Sequence, residues 1–111
     1  MKYLKFRAWD GEQMVSPDYV DRNGVGWWKE NSIPTQSNQV MQFTGLYDSV
    51  GSEIYKHDVI EYQNGKRGVV IWLSEADGFD FTGWVTTYLN CNCTANGARV
   101  IGNVHENPEL L

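Results

Sequence analysis

Apolar and polar positions exchange every second residue along Tyr3-Leu4-Lys5-Phe6-Arg7-Ala8-Trp9, the period-two pattern of a strand with two unlike faces. Asp10-Gly11 follows as a favoured turn, and Glu12-Gln13-Met14-Val15 supplies a second arm, so the amino terminus predicts a β-hairpin. From Ser16 to Gln39 the alternation fails. Pro17, Gly24, Gly26 and Pro34 punctuate a polar stretch in which only Val25-Gly26-Trp27-Trp28-Lys29 has the make-up of a short strand. The remainder predicts loop, with residues 32–39 as a mobile connector or a long hairpin arm and as the division between a β appendage (1–39) and the main body (40–111).

Strand character resumes at Val40-Met41-Gln42-Phe43-Thr44. A turn at Asp48-Ser49-Val50-Gly51 leads into Glu53-Ile54-Tyr55-Lys56-His57-Asp58, for which one helical turn is expected. The sharpest local signal comes next: Asn64-Gly65 between two β-rich runs, residues 59–63 and 66–73, which predicts a hairpin with a type I′ turn. Asp77-Gly78 turns the chain into Phe79-Asp80-Phe81. Gly83 bends it before residues 84–89, and Asn96-Gly97 turns it into residues 99–104. About five short strands between Val40 and Val104, with no sustained helical period, describe a small barrel or sandwich.

Length and composition narrow this picture. A chain of 111 residues is one ordinary domain, and 41% apolar with 21% charged residues is the balance of a folded globule. No run is long and uncharged enough for a membrane span, and the interrupted apolar residues of the first strand make no signal-peptide core, so the expected compartment is the cytoplasm. Cys91 and Cys93 stand in a Cys-Asn-Cys spacing too tight for an unstrained disulfide, and free thiols are expected. A net charge of −5 argues against unspecific binding to a phosphate backbone. Aromatic residues make up 14% of the chain, more than a small barrel encloses, so some should lie at a contact surface.

No constellation for catalysis or metal binding emerges. Cys91 and Cys93 form one overly tight pair and His57 and His105 are single, so a zinc site is not expected; nor is a cofactor. Glu75, Asp77 and Asp80 cluster at a turn, where aspartates serve to bond nearby backbone amides. Asp58, at the start of a strand, is expected to act structurally as a turn cap. The strand face with Tyr3, Lys5, Arg7 and Trp9 interleaves rings and cations as single-stranded nucleic-acid binders do, against the alternative of an ordinary solvated face. Trp27 and Trp28 are candidate protein-contact residues, because neighbours on a strand point to opposite faces. Leu110 and Leu111 end the chain where a solvated terminus gains nothing from them, and are expected to dock on this chain or on another.

Three segments in order resemble the YopX family of phage and prophage proteins: Lys5-Phe6-Arg7-Ala8-Trp9-Asp10; Gln42-Phe43-Thr44-Gly45-Leu46-Tyr47-Asp48 continuing through Glu53-Ile54-Tyr55 to His57-Asp58-Val59-Ile60; and the tail from Val100 to Leu111. His57 departs from the pattern, which has Gly before Asp. If that position takes a positive φ angle, His57 must bear it or the turn must differ. The resemblance implies an SH3-like barrel in the second half, an irregular β appendage, a bacterial-host setting and homo-oligomers, and no activity. The expectation is therefore a non-enzymatic accessory protein that self-associates or contacts a host or phage protein, with a nucleic-acid-binding module as the alternative.

Overall fold

The computed structural model describes residues 5–79 and 82–110, and their regular structure is mainly β: eleven strands and two short 3₁₀ turns. No helix among the described residues is long and apolar enough to cross a membrane. The chain divides into two units, residues 1–43 and 44–111.

In the first unit β1 (Phe6–Trp9) pairs with β2 (Met14–Val15) as the alternation predicts. The connection is longer than a two-residue Asp-Gly turn. Asp10 Oδ1 accepts the amides of Glu12 (2.7 Å) and Gln13 (2.8 Å), and the Asp10 amide bonds the Gln13 carbonyl. On its other side β1 pairs with the first half of β6 (Val40–Tyr47), with Arg7 opposite Met41 and Ala8 opposite Val40.

Residues 16–39, expected to be loop around one strand, instead form a three-stranded antiparallel sheet of β3 (Tyr19–Val20), β4 (Gly26–Glu30) and β5 (Ile33–Ser37). Two local features concealed it. Asn31 and Ser32 have φ angles of 52° and 67°, the paired positive values of a type I′ hairpin turn, built here without glycine. Pro34 reads as a strand breaker, yet β5 is an edge strand. Glu30 and Ile33 close the turn as a pair, so hydrogen-bond alternation directs the N position of Pro34 away from β4, where the missing donor costs nothing. The buried apolar side chains of this unit are Ala8, Trp28, Met41 and Phe43.

In the second unit the later half of β6 is followed by β7 (Glu53–Tyr55), β8 (Asp58–Glu61), β9 (Arg67–Leu73), β10 (Gly83–Thr86) and β11 (Arg99–Asn103). Four of them make an antiparallel sheet in the order β10-β9-β8-β11, with a bulge in β11 between Val100 and Gly102. The helical turn expected around residues 53–58 is a tight β turn. His57 takes φ 72°, and the buried Asp58 carboxylate reaches back to accept the Tyr55 amide at 2.7 Å. That carboxylate over-determines the turn and lets a histidine occupy a position suited to glycine. The hairpin at Asn64-Gly65 forms, but not as type I′. Only Gly65 has a positive φ (82°), while the Tyr62 and Lys66 backbones bond across a wider loop and Asn64 Oδ1 accepts the Lys66 amide.

The core of this unit gathers Ile54, Ile60, Tyr62, Val70, Cys93 and Ala98. The Tyr62 hydroxyl lies 2.6 Å from Thr86 Oγ1 and 3.2 Å from the carbonyls of Cys91 and Asn92, so it pins the irregular segment after β10 to the sheet. Gly68 is required by close approach: a Cβ there would sit 2.6 Å from Thr86 Oγ1 and 2.8 Å from the Tyr88 amide nitrogen.

Asp48 ties the unit together. Its buried carboxylate accepts the amides of Val50 (3.0 Å) and Ser52 (2.8 Å) within its own turn and of Val100 (2.8 Å) from β11, while the Ser49 amide bonds the Ala98 carbonyl. Burial opposes ionisation, but the amides of Val100, Ser52, Val50 and Gly51 outweigh it and hold the carboxyl below its ordinary value.

Two outcomes are expected in denaturant and thermal unfolding. Replacing Asp48 by Ala should destabilise the protein by about 2–3 kcal/mol, because several amides lose a charged acceptor. Since folding lowers this pKa, the stabilisation is complete above the unfolded carboxylate value of ~3.9 and is lost as pH falls through the folded value, so the acid limb of stability should be shallower in Asp48→Asn. Gly68→Ala should cost about 2 kcal/mol or more through overpacking against Thr86 and the Tyr88 backbone.

Candidate interaction surfaces

The face of β1 that interleaves rings and cations is not an open cationic surface. Arg7 stands opposite Met41, which is fully buried, and Arg7 Nε is shielded from solvent. Lys5 is exposed, with its ammonium 5.4 Å from the centroid of the buried Phe43 ring. Trp9 is half-buried, and Tyr3 lies outside the described residues. The cations of this face are therefore laid over apolar side chains contributed by β6.

β4 separates its two tryptophans, as strand geometry requires. Trp28 is buried, and its indole N–H has no acceptor among the described residues; it presents no surface to a partner in this chain. Trp27 is half-buried on the opposite face. Its Nε1 donates to Asp21 Oδ2 at 2.9 Å, and its ring lies near-parallel to that of Tyr19, with centroids 6.4 Å apart. Asp21 also accepts the amides of Asn23 and Val25, and these bonds, led by that of Trp27, hold its carboxyl below the usual range.

The carboxyl-terminal segment docks on its own unit. Leu110 is half-buried beside Gly102, where an added Cβ would lie 2.8 Å from its Cδ1, and its carbonyl accepts from Arg67 Nη1 at 3.3 Å. Leu111 lies outside the described residues. Glu61 sits between Arg67 (3.2 Å) and Arg99 (3.4 Å), with its carboxyl held down chiefly by the Arg67 hydrogen bond. Both arginines are exposed and Glu61 is half-buried, and the pairs contribute little to stability.

A surface that the sequence reading did not single out lies on β9 and β10. Gly68, Val70 and Trp72 share one face of β9 by alternation. The first two are buried, yet Trp72 is 47% exposed. Trp72 is paired in register with Trp84, and their rings meet edge to face at 5.0 Å. An inward-facing apolar stripe thus continues past the part of the core that this chain covers. Composition announced surplus aromatics; which ones stay uncovered depends on where the sheet outruns its own packing.

The groups considered for chemistry are dispersed. Glu75 and Asp77 are exposed in a 3₁₀ turn (Glu75–Asp77) capped by Ser74, and Asp80 lies outside the described residues. Cys91 and Cys93 are free thiols, and burial raises the pKa of Cys93. His57 and His105, single in the sequence, come together with ring centroids 6.0 Å apart. No group of three or more metal-ligating side chains occurs among the described residues.

Leu110→Ala should lower stability by about 1 kcal/mol, the value of a half-buried leucine, without altering sedimentation. A change in assembly with unchanged stability would place Leu110 between chains instead.

No curated protein matches this chain. Among solved structures, the chain is similar to the crystal structure of protein EF1440 from Enterococcus faecalis, with a TM-score of 0.66, 25% identity and 98% coverage of both chains. A family model described as YopX protein matches residues 5–111, which include the Asp48 turn, the His57-Asp58 turn and the tail that docks beside Gly102. The chain belongs to the YopX protein family.

Proposed function

We propose that this protein is a non-enzymatic accessory protein of a phage or prophage, acting in the bacterial cytoplasm as a self-associating interaction module. In this reading the sheet β10-β9-β8-β11 with its flanking hairpin is a small SH3-like barrel, and its uncovered stripe is the contact surface. The observation that carries it is Trp72, an inward-facing aromatic left 47% exposed next to Trp84.

The geometry favours a second copy as the first occupant. β10 is an edge strand. Its outer edge is already covered by this chain, since the Thr86 amide bonds the Cys91 carbonyl, Val85 bridges Asn92 and the Cys93 thiol reaches the Trp84 carbonyl, so what stays open is the side-chain face of Trp72 and Trp84. Two such faces meeting about a two-fold axis place each Trp72 and Trp84 pair against the other. Covering the exposed part of Trp72 removes roughly 100 Å² of apolar surface from water, about 2.5 kcal/mol per chain. A host or phage protein would use the same stripe. Nucleic acid is the weaker reading, because Lys5 and Arg7 are engaged over Phe43 and Met41.

Sedimentation equilibrium should find a reversible dimer of the unmodified chain, and Trp72→Ser should weaken it at least tenfold while leaving the melting temperature within a few degrees. A monomer at every concentration, or a dimer indifferent to Trp72→Ser, contradicts the proposed interface.

A further inference from the structure

A second surface, confined to the first unit, has a different chemistry. Tyr19, Trp27 and Gln36 form one cross-strand row over β3, β4 and β5, because each is paired in register with the next and paired residues share a face. Tyr19 is 59% exposed. Trp27 is not left to rotate: its indole is held by Asp21, itself fixed by two backbone amides. Fixing an outward aromatic in this way does nothing for the core, which Trp28 serves from the opposite face of the same strand.

Gln36 also lines a concavity of about 480 Å³, together with Trp9, Asp10, Asn38 and Gln39, a volume in the range of small-molecule sites. Three exposed carboxamides, each both donor and acceptor, a carboxylate and an indole residue meet there. Among the described residues, no lysine, arginine or histidine lines the concavity. The amides of Gln13 and Glu12 keep Asp10 ionised, so phosphate and carboxylate ligands are repelled.

The suited ligand is neutral and rich in hydroxyls that both give and accept hydrogen bonds, with an apolar face to lie against a ring. We propose that the first unit binds a neutral oligosaccharide, one sugar held in the concavity by Trp9, Asp10, Asn38 and Gln39 and the following sugars crossing Gln36 to Trp27 and Tyr19. The backbones under the row stand one strand spacing apart, ~4.8 Å, and the Tyr19 and Trp27 rings 6.4 Å centroid to centroid, so a chain of linked sugar rings crossing the strands meets one side chain after another. This site shares no residue with the Trp72 and Trp84 stripe, and either can fail without the other.

The test is titration calorimetry of the full chain with cellohexaose, chitohexaose and mannohexaose, each to about 1 mM ligand. Binding of at least one is expected, with Trp27→Ala and the exposed-site variant Asn38→Ala each weakening it about tenfold and Trp72→Ser leaving it unchanged. Asn38→Ala guards against misfolding, since an exposed loop carboxamide contributes little to stability. Absence of binding by all three sugars overturns the proposal, as does binding that survives both variants. Equal competition by a neutral peptide or a single-stranded oligonucleotide also overturns it.

Discussion

One buried carboxylate organises the larger unit. Asp48 accepts an amide from β11, more than fifty positions along the chain, while also accepting two amides of its own turn. The local bonds fix the direction of the carboxylate, so the long-range bond selects which residue of β11 may dock. β11 then pairs with β8, and Ala98, just before it, enters the core with Ile60 and Val70. Placing an ionised group inside costs heavily unless its acceptor capacity is met, and here backbone amides meet it. The stretch around Asp48 that resembles the family pattern thus has a role in folding. Asp58 repeats the device on a smaller scale, closing the turn that holds His57 at positive φ.

Much of this could be read from the residues. The first hairpin, β4, the hairpin around Asn64-Gly65 and the strand after Asn96-Gly97 all follow from alternation and turn chemistry, and the mainly β character with them. The failures share a cause: local signals were weighed without the edge they lie on. Pro34 breaks a central strand but is harmless in β5, and Asn31-Ser32 makes a glycine-free type I′ turn that composition does not announce. Residues 53–58 looked helical because a charged, aromatic run carries no period of its own; the Asp58 bond to Tyr55 decides it.

The candidate surfaces were less readable, because exposure is a tertiary property. Alternation correctly parts Trp27 from Trp28, but cannot say which is buried. The first strand's cations looked solvent-facing until β6 placed Met41 and Phe43 on the same side. Trp72 was hidden for the opposite reason: its pattern is that of a core residue, and only the extent of the sheet leaves it uncovered. The two units thereby present different chemistries, an apolar stripe on one and a polar, ring-bearing row on the other.

The central claim is the Trp72 and Trp84 face as a contact between copies, and amide hydrogen exchange at dilute and concentrated protein addresses that face directly. Added protection at concentration, confined to β10 and the adjoining end of β9, is the predicted result. Exchange in β10 that is the same at both concentrations, or protection appearing on β1 or β5 instead, would contradict it.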